Sequence, residues 1–159
     1  MPATTTENDS ITNRRTRQVN GTLQLNPLPN PYPVPDKPFS IFFEERQETL
    51  SRGDVVGCIH QAYDVVLHHL CQHGDSPLPR VPSSLDFQFG NVEFGIAPVT
   101  WLPPPFLTYN DTLAVLEAFS VKMSRDGYCS WFAEIALTEG GGHLGDALIS
   151  EIEERSLQL

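Results

Sequence analysis

Four of the five histidines in this 159-residue chain lie between His60 and His73. His60, Asp64 and His68 repeat every four residues, so they stack along one face of any helix formed there, with Cys71 near the same line. Two imidazoles and a carboxylate are suitable donors for zinc. Three successive i,i+4 positions do not converge on one ion, however, because the Cα atoms of residues 60 and 68 stand about 12 Å apart on a helix. A solvated polar face is the favoured reading of that row. His69 and His73 form a second i,i+4 pair at the edge of the apolar stripe. They are the candidate metal ligands, and a border to the core is the preferred reading of them. No HExxH motif accompanies either pair.

Glu134 is the candidate catalytic residue. It interrupts an apolar run, Ser130-Trp131-Phe132-Ala133-Glu134-Ile135-Ala136-Leu137, and a carboxyl held among apolar groups is a natural general acid or base. An outward-facing strand position is the favoured reading of it. Asp86 and Glu93 are further carboxylates, flanking a hairpin. Gly140-Gly141-Gly142-His143-Leu144-Gly145 formally matches GxGxxG, but a dinucleotide site needs a further βαβ unit and an acidic residue about 20 positions on. The chain ends 14 residues later, so a hairpin turn is expected and no cofactor is assigned. No GxSxG or Cys–His arrangement suggests a nucleophile. Trp101, beside Pro103-Pro104-Pro105, either rims a pocket or covers the core edge.

These residues must be positioned by a modest set of elements. Leu85, Phe87 and Phe89 alternate with Asp86 and Gln88, Gly90-Asn91 turns the chain, and Val92, Phe94 and Ile96 alternate with Glu93 and Gly95. Such alternation about a tight turn predicts a β-hairpin. Before it, Phe39 to Phe43 reads as a strand. Ser51-Arg52-Gly53-Asp54 is a helix start, and Val55, Ile59, Ala62, Tyr63, Val66, Leu67 and Leu70 form one helical face ending at Gly74. After the hairpin, Thr108 to Asp111 resembles a capping box with Asp in its fourth place. A second helix is expected over 110–125, stopped by Gly127, with Tyr109, Leu113, Val115, Leu116, Phe119 and Met123 in its apolar arc. A strand follows over 128–138. Residues 143–150 are expected to return as a last strand, with a terminal helix from Asp146 as the competing reading.

The order predicts an α+β fold, β-α-β-β-α-β-β: an antiparallel sheet with two helices on one face, a ferredoxin-like sandwich plus an added C-terminal strand. Residues 39–150 form the expected domain. Residues 1–38 are expected to be a disordered arm, polar at first and then proline-alternating and polyproline-like, and residues 151–159 a tail. The hairpin Phe87–Ile96, the Leu107-Thr108-Tyr109 helix start and the His143–Ile149 ending resemble a loose set of small uncharacterised fungal proteins over about residues 39–150. Members of that set often carry Trp where Tyr109 stands. The resemblance implies the layout but no activity and no site residues.

Charge narrows the partners. From Phe39 onward there are 17 acidic and 6 basic residues, a net of −11, whereas residues 1–38 sum to +1. An acidic body is ill suited to gripping nucleic acid or an anionic membrane, so neither is expected as a partner. Arg14, Arg15 and Arg17 form a small basic cluster in the arm. Three cysteines, an odd number without CxxC, do not make a disulfide framework; Cys58 and Cys129 read as small buried hydrophobes. The N-terminus has no apolar signal region, so the chain is expected in the cytoplasm. The sequons at Asn20 and Asn110 leave open a fungal secreted, effector-type protein. The preferred functional expectation is a non-enzymatic module that binds a protein partner or a second copy of itself. The alternative is a small enzyme or ligand carrier with an apolar pocket between paired sheets.

Overall fold

Phe39, Ile41 and Phe43 are buried while Phe42 between them is exposed, the period-2 signature of a strand with one face on a core. In the computed structural model, which describes residues 17–19, 22–24, 27–79, 84–99 and 104–152, this strand is the longest of eight. The elements in chain order are β1 Arg17–Val19, β2 Thr22–Gln24, β3 Tyr32–Pro33, β4 Phe39–Thr49, α1 Arg52–His73, β5 Leu85–Phe89, β6 Val92–Pro98, α2 Tyr109–Asp126, β7 Cys129–Leu137 and β8 His143–Glu151. The fold is α+β. β1 and β2 form a separate two-stranded ribbon, and the other six strands form one antiparallel sheet in the order β3-β4-β7-β8-β6-β5.

Both helices begin as their sequences dictate. The Ser51 hydroxyl accepts the Asp54 amide, and Thr108 with Asp111 makes a complete reciprocal capping box, so Asp serves where Glu is more usual. Each helix ends on a glycine whose amide returns to the last turn, Gly74 to Leu70 and Gly127 to Met123. On α1 the buried residues are Val55, Cys58, Ile59, Ala62 and Val66. Tyr63 and Leu67, expected in that face, are exposed instead. Tyr63 lines an open groove with Leu116, Glu117 and Ser120 of α2. Phe119 of α2 sets the core: its ring meets Phe43 of β4 and Phe94 of β6 edge-to-face at 5.2 and 5.3 Å, so helix and sheet lock through one side chain.

Three features depart from the sequence expectations. The ferredoxin-like strand order is not the one found. The glycine turn makes β7 and β8 obligatory neighbours, and this pair is wedged between β4 and β6, the strands that a split βαβ arrangement sets side by side. The last strand is therefore internal and not an appendage. Second, the ordered body begins before Phe39. Leu28 and Val34 are buried, β3 pairs with β4, and the Asn30 amide both donates to the Phe43 carbonyl and accepts the Phe43 amide at 2.9 Å. The proline run is not extended throughout: it bends at Asn30-Pro31 and turns at Pro35-Asp36, and the piece between them, Tyr32–Pro33, serves as an edge strand. Third, β1 and β2 pair within the arm expected to be disordered, Val19 opposite Thr22. Residues 143–151 form a strand, so the terminal-helix alternative from Asp146 is not what the chain adopts.

Asn30→Ala removes two hydrogen bonds and leaves the Phe43 amide and carbonyl to water. Urea unfolding should show a loss of about 1–3 kcal/mol, and hydrogen exchange should speed up at Phe43 while the α1 amides stay protected.

Candidate functional site

Because both helices cover one face, the other face of the sheet is bare among the described residues. Its rows can be read from the pairing. One row crosses the sheet as Glu44, Phe132, Leu148, Gly95 and Asp86; the next as Phe42, Glu134, Asp146 and Ala97. Phe42 is 50% and Leu148 38% exposed. Toward the end of β4 the face deepens into a concavity of about 860 Å³, floored by Phe132 and Leu148 and rimmed by Glu48, Glu93 and Glu151 among others. The rim carboxylates are held by neutral donors: Ser130 Oγ on Glu48 at 2.9 Å, Gln88 Nε2 on Glu93 at 3.4 Å, and Asn91 Nδ2 on Glu151 at 2.6 Å. Neutral donors orient these charges without cancelling them. The cation at the concavity is Arg46, which lies over the Phe132 ring at 5.4 Å and 3.7 Å from Glu44.

Glu134 does face outward, on this bare surface. It is exposed and stands directly opposite Asp146, which itself is held by His143 Nε2 at 2.8 Å. Like charges facing each other across a ladder are destabilising, so Glu134 is a contributor to the acidic field and not a carboxyl in an apolar site. Sequence reasoning found the residue but not its partner. The pairing depends on a register irregularity between Ile135 and Ala136, for which the sequence carries no signal.

His69 and His73 approach each other at 4.9 Å between ring centroids, while His69 stacks on Tyr109 at 3.7 Å and 18°. Among the described residues no group of three possible ligands surrounds a metal position. His69 Nε2 is buried without a hydrogen-bond partner. The stack joins the end of α1 to the start of α2, where Asp75 accepts the Asn110 amide and Leu78 donates to Leu107. The pair thus borders the core, and Tyr109 of the second helix start is its platform. His60, Asp64 and His68 are exposed along α1.

The glycine motif is the β7–β8 turn, with Gly140 and Gly141 at positive φ and a strand following it. Cys58 is buried against the Phe87 carbonyl, and burial pushes its thiol up to about 11. Cys129 is only half-buried, yet burial followed by the charge of Glu45 brings it to about 11 as well; neither suits a nucleophile at neutral pH. Thr112 of the second sequon is buried with its hydroxyl on Thr108 O, so its place has a packing reason. Trp101, Arg14, Arg15 and Asn20 lie outside the described residues. Among those described, no helix is long and apolar enough to cross a membrane.

With the geometry in view, no protein-family model, no curated protein and no solved structure matches the chain. The site has to be read from its own chemistry.

Two substitutions check these assignments. His69→Phe keeps the stack on Tyr109 and removes the unpartnered nitrogen, so urea unfolding should show equal stability or a gain of up to about 1 kcal/mol; a loss would mean that the imidazole holds something the stack does not explain. Glu134→Gln relieves the opposition to Asp146 and should stabilise by about 0.2–1 kcal/mol in low salt, a gain that shrinks in 1 M salt as the repulsion is screened.

Proposed function

We propose that the chain is a non-catalytic binding module whose bare sheet face takes a cationic, apolar-anchored segment of a protein partner. The observation that carries this reading is the pairing of an apolar floor, half-buried Phe132 and exposed Leu148 with exposed Phe42 beside them, and a rim of carboxylates whose bonded partners are neutral. An apolar patch of this kind is a common mark of an interaction surface. Arginine or lysine side chains would answer Glu48, Glu93 and Glu151, and a leucine or aromatic anchor would cover the floor. In such contacts the anchor supplies affinity, while the rim supplies orientation and encounter rate. The same rim disfavours nucleic acid, whose phosphates would meet carboxylates.

The test is a fluorescein-labelled nonapeptide of alternating Arg and Leu, with an alternating Glu and Leu peptide as control. The Arg–Leu peptide should bind and the control should not. Binding should weaken on the order of tenfold between 50 and 500 mM salt, as a charge-steered contact does. Glu93→Lys at a half-buried rim position and Leu148→Lys at an exposed one should each weaken it at least fivefold while the circular dichroism spectrum stays unchanged. Equal binding of the two peptides, or indifference to both substitutions, overturns the reading.

A further inference from the structure

The chain carries its own cationic segment, and its body carries an acidic concavity. Three of the ten basic residues, Arg14, Arg15 and Arg17, fall within four positions. Several of the others are already engaged: Lys37 with Asp111, Lys122 with Asp126, and Arg52 over the Tyr128 ring. The body they precede has a net charge of −11.

The path of the backbone supplies the second argument. β3 runs antiparallel to β4, Tyr32 opposite Ile41, and Asn30 is pinned at Phe43. Asn30 thus lies beside Phe43, next to the Glu44–Thr49 stretch of β4 whose Arg46, Gln47 and Glu48 line the concavity. The third argument is reach. β1 and β2 fold the arm back on itself with Arg17 opposite Gln24, and an opposed pair stands about 5 Å apart. Gln24 is three residues from Pro27, a tether of about 10 Å at most. The concavity spans β4 to β6, three strand spacings or about 14 Å. A short tether that starts near β4 and an apolar floor rimmed by carboxylates suit a cationic segment of this length.

We infer that the Arg14–Arg17 segment of this same chain docks on the bare-face concavity in cis and competes there with a cationic partner. The inference rests on the reading of the face as a site for cationic segments. In this arrangement the arm is a built-in competitor. A tethered ligand acts at an effective concentration in the millimolar range, so even a weak arginine contact holds the face until a partner with a better apolar anchor displaces it. Asn30, which fixes where the tether starts, becomes part of the device.

The experiment uses the full chain and the triple variant Arg14→Ser, Arg15→Ser, Arg17→Ser. At 50 mM salt the amide shifts of Phe132, Leu148 and Ser150 should differ between the two proteins. The wild-type shifts should move toward those of the variant at 500 mM salt and should not change over a tenfold range of protein concentration. The variant should bind the Arg–Leu nonapeptide at least fivefold more tightly than wild type. Coincident shifts with equal, measurable affinities would overturn the inference and leave the reading of the face standing. Failure of either protein to bind the peptide, with shifts coincident, would remove both. Shifts that scale with protein concentration would put the arm on a second copy and overturn docking in cis.

Discussion

The edge-to-face contacts of Phe119 with Phe43 and Phe94 are the constraint on which the rest depends. One ring from α2 touches strands that lie on opposite sides of the β7–β8 pair, so it fixes how far the helix layer stands from the sheet and which face it covers. Lys122, one turn on, is held in the same layer. It is buried, salt-bridged to Asp126, and lies over the Trp131 ring at 4.5 Å and the Phe43 ring at 5.4 Å. A buried ammonium is tolerated only with such partners. With two helices committed to one side, none of the described residues of 39–152 is left to cover the other, and its polarity has to come from the alternate residues of the strands.

Those alternate residues explain what was legible in the sequence. The 85–98 hairpin, both helix starts and the Gly74 and Gly127 stops could be read because each is a local event: alternation, a hydroxyl before free amides, a residue that tolerates positive φ. The strand order could not be read. It is decided by which edge of β8 meets β6, and neither strand's composition distinguishes its two edges. The arm was misjudged for a related reason. Five prolines at alternate positions describe an extended chain, but whether that chain meets water or a sheet edge depends on Asn30 finding Phe43 thirteen residues away.

The candidate site was legible only in fragments. Glu134 stood out as a carboxylate in an apolar run, and His69 and His73 as a helical pair. The structure separates them. The histidines belong to the joint between the helices, and Glu134 belongs to the bare face. The floor of the concavity, Phe132 and Leu148, was hidden in plain apolar runs, because strand positions alternate between core and surface and only the register says which is which. The acidity of the body was visible from the start, but its concentration around that floor follows from bringing β4, β6 and β8 together.

The cover that Asn30 and β3 give to β4 also fixes how the main sheet can grow. The outer edge of β4 is occupied over Ser40–Phe43, and beyond it stand Glu44, Glu45, Arg46 and Glu48, charges that discourage a further strand. The opposite edge, the five residues of β5, has no strand beside it among the described residues. A sheet with one joinable edge acts as a chain terminator: two copies meeting through β5 would each use up the edge that a third would need. Among the described residues, a second copy of the main sheet joined through β5 on a two-fold axis would leave neither β5 edge open to a third.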